Sequence, residues 1–299
     1  MITADLRRAI VAAAGRDPLL RPGPRPGSYT SSLPFRLSRE EQKALTERLK
    51  AEPWIATAEI TGHLTVTVTH DALATLAVRI ARAGPTCAAS DALHGRTVPA
   101  PAAADLTAQL TARLAAAAGA TISFYPERAV VRASATPSPV SVAVAYAGPD
   151  AVRYALAATP PGGVTPSAEI IARHVLGNPA YAVRYAHAAA AAVLRWAAAL
   201  QGGPGGFQPR QLTAPQELAL LDALSWLPER VAMAARRGRP DEFAGYLAEL
   251  AACTLDTMST TGFTTISSIS SERLWLADAA RTGLAAGLEL LGVDAPERI

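Results

Sequence analysis

The amino-acid sequence predicts an α+β N-terminal domain followed by an all-α helical bundle, with helix dominating the chain as a whole. Half of the 299 residues are hydrophobic but only 5% are aromatic, which favours a core of Ala, Leu and Val. Alanine is the best helix former, and alanine runs with apolar residues at helical spacing fill the second half of the chain. We expect three parts: an α+β domain over residues 1–84, a linker with a reduced α/β connector over 85–165, and helices over 166–299.

Two helices separated by a Pro/Gly-rich loop are predicted at the start of the chain. The first carries Leu6 and Ile10 on one face, and Thr3 stands where a cap is expected. The second begins at Ser38 and Glu41, whose separation of three residues is that of a capping box. The segment LLRPGPRPGSYT between them is predicted to form neither helix nor strand, because proline and glycine interrupt both.

A β-hairpin and a third helix complete the predicted N-terminal domain. Residues 55–61 and 64–69 contain alternating β-branched side chains, and the Gly62-His63 pair between them fits a tight turn. Asp71 is expected to cap the helix that follows, whose apolar residues recur at helical spacing. These elements together predict one sheet packed against helices.

The middle of the chain is predicted to hold one helix and a few short strands after a Pro/Ala-rich linker. The helix is Ala-rich and covers residues 105–118. Strands are expected over 121–125, 128–133 and 140–146, with a turn at Pro126-Glu127 between the first two. This part is too small to house a large additional domain, so we interpret it as a connector.

The second half of the chain is organised around one long helix over residues 178–200. Pro179 suits its first position, where the missing N–H costs nothing. Arg184 and Arg195 lie on one face, and arginine on an alanine-packed helix suits an acidic partner such as phosphate. A buried bundle helix with two solvated arginines is the alternative interpretation. The opposite face is apolar, with residues at spacings of four, three, four and four: Tyr181, Tyr185, Ala188, Ala192 and Trp196.

Four further helices complete the predicted bundle. Arg236, Arg237 and Arg239 close the second of them, where positive charge complements the helix dipole, and a phosphate contact would be an addition to that structural role. Thr213 is expected to cap the first. The predicted helices cover residues 218–226, 229–237, 240–256 and 272–291, with a Ser/Thr-rich loop over 257–271.

Charge and cysteine content narrow the possible functions. The net charge is +3, and Lys43 and Lys50 are the only lysines, so any surface that binds nucleic acid must be made of arginine. Cys87 and Cys253 are isolated, which predicts neither a disulfide framework nor a zinc site, and the scattered histidines and carboxylates predict no other metal. We find no signal peptide and no apolar run long enough for a bilayer, and therefore expect a soluble, cytoplasmic protein without cofactors.

The segment NPAYAVRYAHA, which begins at Asn178, resembles the start of the DALR-type anticodon-binding domain of arginyl-tRNA synthetases. Residues 1–84 resemble, at fewer positions, the N-terminal additional domain of those enzymes, through ADLRRAIVAA, Gly27-Ser28-Tyr29 and GHLTVTV. The resemblance implies a helical domain that reads the anticodon loop of tRNA. In the C-terminal half it continues, in order and at similar spacing, through residues 215–221, 227–231, 246–251 and 290–298, and the segment 148–156 is similar to the stretch that leads into the domain.

When the motif of the resembled family is compared with the long helix residue by residue, four positions of this sequence match it and three differ from it. Ala182 stands where an aromatic residue is usual, Arg184 where glutamine is usual, and Ala189 where the family has arginine. The loss of the arginine removes a cation from the presumed RNA face, and Arg184 restores charge at a different place. The matching residues are Tyr181, Tyr185, Ala186 and His187.

The catalytic signatures of the resembled family are missing from this sequence. In those enzymes, His-x-Gly-His and Lys-Met-Ser-Lys motifs neutralise ATP phosphates as charge builds in adenylate formation. None of the five histidines lies in the first motif, and no lysine follows Lys50. His94-Gly95-Arg96 is the nearest candidate for a remnant, and we expect it to be an exposed loop. The sequence also has no P-loop, dinucleotide-binding or nucleophile-elbow motif.

The sequence therefore predicts a catalytically inactive protein, similar to arginyl-tRNA synthetases, that binds tRNA and specifically arginine tRNA. One alternative is an accessory or regulatory subunit that binds a protein partner, such as a tRNA-dependent enzyme. Another is an arginine–tRNA ligase, which the missing motifs argue against. The predicted tRNA-binding residues are Tyr181, Arg184, Tyr185, His187, Arg195, Arg236, Arg237, Arg239 and Arg281.

Overall fold

The computed structural model describes residues 1–101, 105–123, 139–200, 203–260, 263 and 269–299. Its N-terminal part is an antiparallel sheet with strand order β1-β2-β4-β3, flanked by helices. The predicted hairpin and all three predicted helices of this part are confirmed. The elements are α1 (Ile2–Ala14), β1 (Arg21–Pro22), β2 (Ser28–Ser31), α2 (Arg39–Lys50), β3 (Ile55–Thr61), β4 (His63–Val68) and α3 (His70–Ala83).

The Pro/Gly-rich segment departs from the sequence prediction, since it contributes two strands to this sheet. β2 lies between β1 and β4, and Tyr29 pairs with Val66 in an antiparallel register. Tyr29 is completely buried, so burial and pairing with a distant strand outweigh the local tendency to form a loop. Pro22 sits on the edge strand β1, where its missing N–H removes no ladder hydrogen bond.

Helix caps are predicted correctly in one place and wrongly in three. The capping box of α2 is confirmed: Ser38 Oγ accepts from the Glu41 N–H at 3.2 Å, and Glu41 Oε2 accepts from the Ser38 N–H at 2.6 Å. Thr69 rather than Asp71 caps α3, with its Oγ1 accepting from the Ala72 N–H. Asp71 instead occupies the first turn, where its negative charge still favours the helix dipole.

The other two predicted caps have different roles. Thr3 lies inside α1, which begins at Ile2, and its hydroxyl donates to the Ser225 carbonyl at 2.6 Å. Thr213 lies one residue too early, because the cap position before the following helix is Ala214. The Ala214 N–H donates to the Glu217 carboxylate at 3.0 Å, so a side chain from within the helix satisfies this end.

In the described part of the middle of the chain, the predicted helix is present and one predicted strand is replaced by a helix. α4 (Leu106–Ala117) is capped by Asp105, and β5 (Thr97–Pro99) pairs in parallel with β6 (Thr121–Ser123). The predicted strand over 140–146 is wrong, because this segment belongs to α5 (Pro139–Ala147). Ala143, Val144 and Ala147 pack there against two following helices, α6 (Pro149–Ala158) and α7 (Ala168–Ile171). The predicted turn at Pro126-Glu127, the strand over 128–133 and the end of the strand over 121–125 lie outside the described residues.

Helices build the C-terminal part, as predicted. α8 packs on α11 and α12, and α12 also packs on α3 of the N-terminal part. α11 extends two residues into the predicted Ser/Thr-rich loop. The helices are α6 (Pro149–Ala158), α7 (Ala168–Ile171), α8 (Pro179–Leu200), α9 (Pro215–Ser225), α10 (Leu227–Arg237), α11 (Pro240–Met258) and α12 (Ser271–Leu291).

One continuous apolar core joins the N-terminal sheet to the helices, running from Ile2 to Val293. Buried polar contacts cross it where the N-terminal part meets α9 and α10. The Tyr29 hydroxyl donates to Ser225 Oγ at 2.8 Å, and the Arg7 guanidinium donates to both oxygens of Glu229 at 2.6 and 2.7 Å. We call this contact region the seam. Its residues are Thr3, Arg7, Gly27 and Tyr29 on one side and Asp222, Ser225 and Glu229 on the other.

Within the described residues, none of the helices combines the length and the apolar character needed to span a membrane.

Candidate nucleic-acid interface

The start of α8 is fixed by Asn178, which is buried. Its side-chain oxygen accepts from the Ala180 N–H at 3.2 Å and so satisfies one of the free donors of the first turn. Its amide group donates to the carbonyls of Ile171 and Arg173 at 2.8 and 2.7 Å. The same side chain therefore both begins the helix and holds it against α7.

Small side chains, rather than aromatic ones, form the buried face of α8. Sequence periodicity groups Tyr181, Tyr185 and Trp196 on one apolar face, but Tyr185 is 39% exposed and Trp196 is 54% exposed. The alanine face allows α11 and α12 to approach closely, and the large rings are left at the edge of this contact. The buried residues are Ala180, Val183, Ala186, His187, Ala188, Ala190, Ala191, Val193 and Ala197.

Three aromatic rings are stacked at the N-terminal end of α8. The His174 and Tyr181 rings lie 5.2 Å apart at 12°, and the Tyr181 and Tyr185 rings lie 5.5 Å apart at 20°. Such offset parallel rings hold one another in place. Tyr185 is the exposed end of the stack and can receive a further flat ring on its free side.

A groove of about 670 Å³ runs along the exposed side of α8. We call it the α8 groove. Ala189, which stands where the resembled family has arginine, lies on its floor, so that the groove is apolar at this point. Arg195 and Arg298 supply positive charge at its lining. The other lining residues are Tyr185, Ala188, Ala192, Val193, Trp196, Leu255, Met258, Ser259, Phe263 and Ile299.

Two arginines beside the α8 groove converge on one carboxylate in the segment after α12. Arg195 Nη1 donates to the Glu297 carbonyl at 2.6 Å and lies 3.5 Å from Glu297 Oε2. Arg281 lies 3.9 Å from Glu297 Oε1 and makes shorter contacts, at 3.1 and 2.7 Å, with Asp278 Oδ1. The structure thus brings Arg195 and Arg281, from different helices, to one place.

Arg184 is partly buried and holds a different acidic partner. Its Nη2 lies 3.6 Å from Asp150 Oδ2 on α6. Its Nε is buried and has no hydrogen-bond partner among the described residues. This guanidinium therefore retains donor capacity close to the aromatic stack formed by Tyr181 and Tyr185.

His187 lies in the core and does not reach the surface. Its Nδ1 is 2.9 Å from the Pro296 carbonyl, so this nitrogen must carry the proton. Burial lowers the pKa of the imidazole, which favours the neutral ring. His187 thus attaches the segment after α12 to α8. Gly292, with φ of +67°, ends α12 in the left-handed conformation from which that segment begins.

The arginines of α10 and its following turn belong to a different region. Arg236 lies 3.2 Å from Asp17 and 3.6 Å from Glu229, and so joins the seam. Burial and the neighbouring Arg7 lower the pKa of Arg236. Arg237 pairs with Glu242 at 2.9 Å, and Arg239 pairs with Asp241 at 2.6 Å. The nine predicted site residues therefore lie in three places: Arg236 in the seam, Arg237 and Arg239 at the α10–α11 turn, and the other six on or near α8.

Sequence reasoning missed the acidic partners and misjudged Trp196. Asp150 and Glu297 each lie far along the chain from the arginines they contact, and no local pattern connects them. The sequence pattern places Trp196 on the same face as Tyr185, eleven residues or about three helical turns away, but it does not show that this face is exposed. Trp196 is therefore absent from the predicted site residues, although its ring is exposed and lines the same groove as Tyr185.

Comparison with known proteins identifies the class of the helical part. Residues 183–299 match the model of the DALR anticodon binding domain, and this region contains every residue that lines the α8 groove. The C-terminal region of the chain is therefore a DALR anticodon-binding domain.

Relatives that match about half of the chain include arginine–tRNA ligases. Those of Clavibacter sepedonicus and Renibacterium salmoninarum are 38% identical over 161 residues and 39% identical over 163 residues. These matches cover 51% and 52% of this chain but 28% and 29% of the ligases, so the chain corresponds to less than a third of their length.

Two solved structures also resemble the whole chain at low identity. Thermus thermophilus arginyl-tRNA synthetase aligns with 100% of this chain and 59% of its own, at a TM-score of 0.44 and 18% identity. A putative arginyl-tRNA synthetase from Campylobacter jejuni aligns with 99% of this chain and 62% of its own, at a TM-score of 0.45 and 13% identity.

Proposed function

We propose that this chain binds tRNA, with arginine tRNA as its preferred ligand, through the α8 groove. The observation that carries the proposal is the exposure of Tyr185 and Trp196 beside Arg195 and Arg298 on a DALR anticodon-binding domain. Unstacked bases of an RNA loop bind by stacking on exposed aromatic rings. Arginines beside such rings contact the phosphates between the bases.

Tyr185 and Trp196 are assigned to different bases. Eleven residues separate them on one helix, which places them about 16 Å apart along its axis. Tyr185 is supported from behind by Tyr181 and His174, so little freedom is lost when a base stacks on it. Arg184, whose side chain is 28% exposed and whose Nη2 lies 3.6 Å from Asp150, is assigned to a phosphate or a base edge near this stack through its terminal nitrogens.

We further propose that the chain does not itself attach arginine to tRNA. No lysine follows Lys50, and none of the histidines has the spacing that ATP activation uses in the resembled enzymes. The N-terminal sheet and the helical part share one core, and the described residues between them form short elements only. These observations support a role in binding tRNA rather than in charging it.

The test is a titration of the purified chain with arginine tRNA and with total tRNA at about 50 and 200 mM salt. Three phosphate contacts would weaken binding roughly 20- to 40-fold between these conditions. Trp196→Ala and Tyr185→Ala should each cost about 1–3 kcal/mol, since each removes a stacking surface. Leu200→Ala is the matched control, because Leu200 is exposed on the same helix and does not line the groove.

Absence of binding at low salt would remove this proposal. Binding that is equally strong for all tRNAs would keep the tRNA-binding role and remove the preference for arginine tRNA. Loss of binding in Leu200→Ala as large as in Trp196→Ala would contradict the assignment of the α8 groove.

A protein-binding role as an accessory subunit is the second candidate, and a separate cleft favours it. This cleft, of about 500 Å³, lies between α6, α7 and the start of α8, and Val164, Ile170 and Val175 in its lining are exposed. Contiguous exposed apolar side chains are typical of protein contacts. Sedimentation of the chain with a purified arginine–tRNA ligase tests this role. A complex that Val175→Asp abolishes and Trp196→Ala preserves would establish it.

A further inference from the structure

The segment after α12 places an acidic side chain on the positive charge beside the α8 groove. Glu297 is 60% exposed and is shared by Arg195 from α8 and Arg281 from α12. Two guanidinium groups from separate helices around one carboxylate also form the arrangement that binds a phosphate group.

The contacts to the Glu297 carboxylate are long. They measure 3.5 and 3.9 Å, whereas a charge-assisted hydrogen bond is usually about 2.7–2.9 Å. Both arginines therefore keep donor capacity, and an ion pair so open to solvent is weak. An RNA backbone phosphate carries one negative charge on two non-bridging oxygens, as a carboxylate does, so it can take the place of Glu297 between the two guanidinium groups at little cost.

Only the side chain of Glu297 needs to move for this exchange. The backbone on either side is held, because His187 donates to the Pro296 carbonyl and Arg195 donates to the Glu297 carbonyl. Arg298 and Trp196 line the groove immediately beside the exchange point. A phosphate at this point would therefore belong to the nucleotide whose base stacks on Trp196, or to its neighbour.

We infer that Arg195 and Arg281 form a binding site for an RNA backbone phosphate and that Glu297 occupies this site as an internal competitor in the free protein. The inference rests on the proposed function and adds to it a phosphate site and a residue that lowers affinity. Because Glu297 competes for the two arginines, it makes weakly bound RNA easier to release. It also lowers the affinity of this site for non-specific anions.

The test compares tRNA binding by the wild-type chain, Glu297→Gln and Glu289→Gln at low salt. Glu289 is exposed on α12 about two turns beyond Arg281, so its variant makes the same change in net charge. We expect Glu297→Gln to bind about two- to five-fold more tightly, the fold-change that corresponds to losing one exposed ion pair. Glu289→Gln should bind as the wild type does.

A double-mutant cycle separates local competition from a general effect of charge. Arg195→Ala and Arg281→Ala are each introduced into the wild type and into Glu297→Gln. Each arginine variant should lose more affinity in the Glu297→Gln background, where the arginine has no competing partner to release. Thermal unfolding of every variant checks that the fold is retained.

The outcomes distinguish this inference from the proposed function. If the wild type binds tRNA and Glu297→Gln binds it equally well, the inference is overturned and the proposed function stands. If Glu289→Gln strengthens binding as much as Glu297→Gln, the effect is general and the inference is again overturned. If neither the wild type nor Glu297→Gln binds at low salt, the proposed function and the inference are both removed.

Discussion

The ion pair between Arg7 and Glu229 lies at the centre of the seam. Only 6% of the Arg7 side chain and 3% of the Glu229 side chain are exposed. Asp17 and Arg236 extend the pair, so that two guanidinium groups and two carboxylates balance one another. The nearby acids, Glu229 foremost, raise the pKa of Arg7 against the opposing effect of burial, and Arg7 therefore stays charged.

Removing one charge from this network should be costly. We expect Glu229→Gln to lower the free energy of unfolding by about 3–5 kcal/mol, because it leaves the buried Arg7 and the partly buried Arg236 with too little negative charge. Arg8→Ala is the control. Arg8 is 61% exposed and pairs with Asp5, so its loss should cost about 1 kcal/mol or less. Urea unfolding measures the free energy of unfolding of both variants. Equal losses would show that the buried network stabilises the fold no more than an exposed ion pair does.

Asp222 should make stability depend on pH. Burial raises the pKa of its carboxyl above the ordinary value of 3.8, against the lowering effect of the hydrogen bond from the Gly27 N–H. Below 3.8 the group is protonated in both the folded and the unfolded chain. As the pH rises past that value, the unfolded chain ionises first, so ionisation favours unfolding and stability is lost.

Asp222→Asn keeps an acceptor oxygen for Gly27 but cannot ionise. The unfolding free energy of the wild type relative to this variant should therefore fall as the pH rises above the ordinary value of 3.8. Urea unfolding at a series of pH values measures the difference, in which contributions from other titrating groups cancel. A difference that stays constant or rises with pH contradicts the assignment.

Residues of the candidate site differ in how well the sequence predicts them. Tyr185 is found because an amphipathic pattern and a family motif both include it, and Arg195 is found because it lies on the polar face of the predicted helix. Their exposure is not predicted, since a helix pattern shows which residues share a face but not which neighbours approach it. Glu297 lies 102 residues from Arg195, and only the tertiary fold reveals that contact.

At the scale of elements, the close packing of α11 against α12 depends on glycine. A Cβ at Gly287 would clash with the buried side chain of Leu247. Gly245, in α11, has no atom within 4 Å of the corresponding position. The same substitution, glycine to alanine, can therefore be compared at a crowded helix position and at an open one.

Gly287→Ala should destabilise the chain and Gly245→Ala should stabilise it. Overpacking costs about 1–3 kcal/mol and outweighs the better helix propensity of alanine at Gly287. At Gly245 the propensity acts alone, and we expect a gain of roughly 0.5–1 kcal/mol. Thermal unfolding of the two variants checks the prediction, which fails if both shift the midpoint in the same direction.

Elements with strong local signals are predicted well, and elements fixed by distant contacts are not. The capping box locates the start of α2, and long apolar periodicity locates α8 and α12. β2 is missed because its pairing with β4 is not visible in a segment rich in proline and glycine. α5 is predicted as a strand because valine alternates there, and its packing against α6 and α7 outweighs that weak preference.

At the scale of the whole molecule, the N-terminal part and the helices should unfold together. Their apolar residues form one continuous core, and the buried seam crosses it. We therefore expect one calorimetric transition, with a van't Hoff enthalpy equal to the calorimetric enthalpy. Glu229→Gln should move this transition to lower temperature without dividing it. Two separate transitions, in the wild type or in the variant, would show that the core does not couple the parts.

The seam also bears on how such a chain evolves. A recombination event that joined α9 and α10 to an unrelated N-terminal partner would leave three buried groups without these partners: the Glu229 carboxylate without Arg7, the Ser225 carbonyl without Thr3, and the Ser225 hydroxyl without Tyr29. Hybrids of this kind would fold poorly, and selection would remove them. We expect the two parts to be inherited together, and changes at Arg7 in descendant sequences to be accompanied by compensating changes at Glu229.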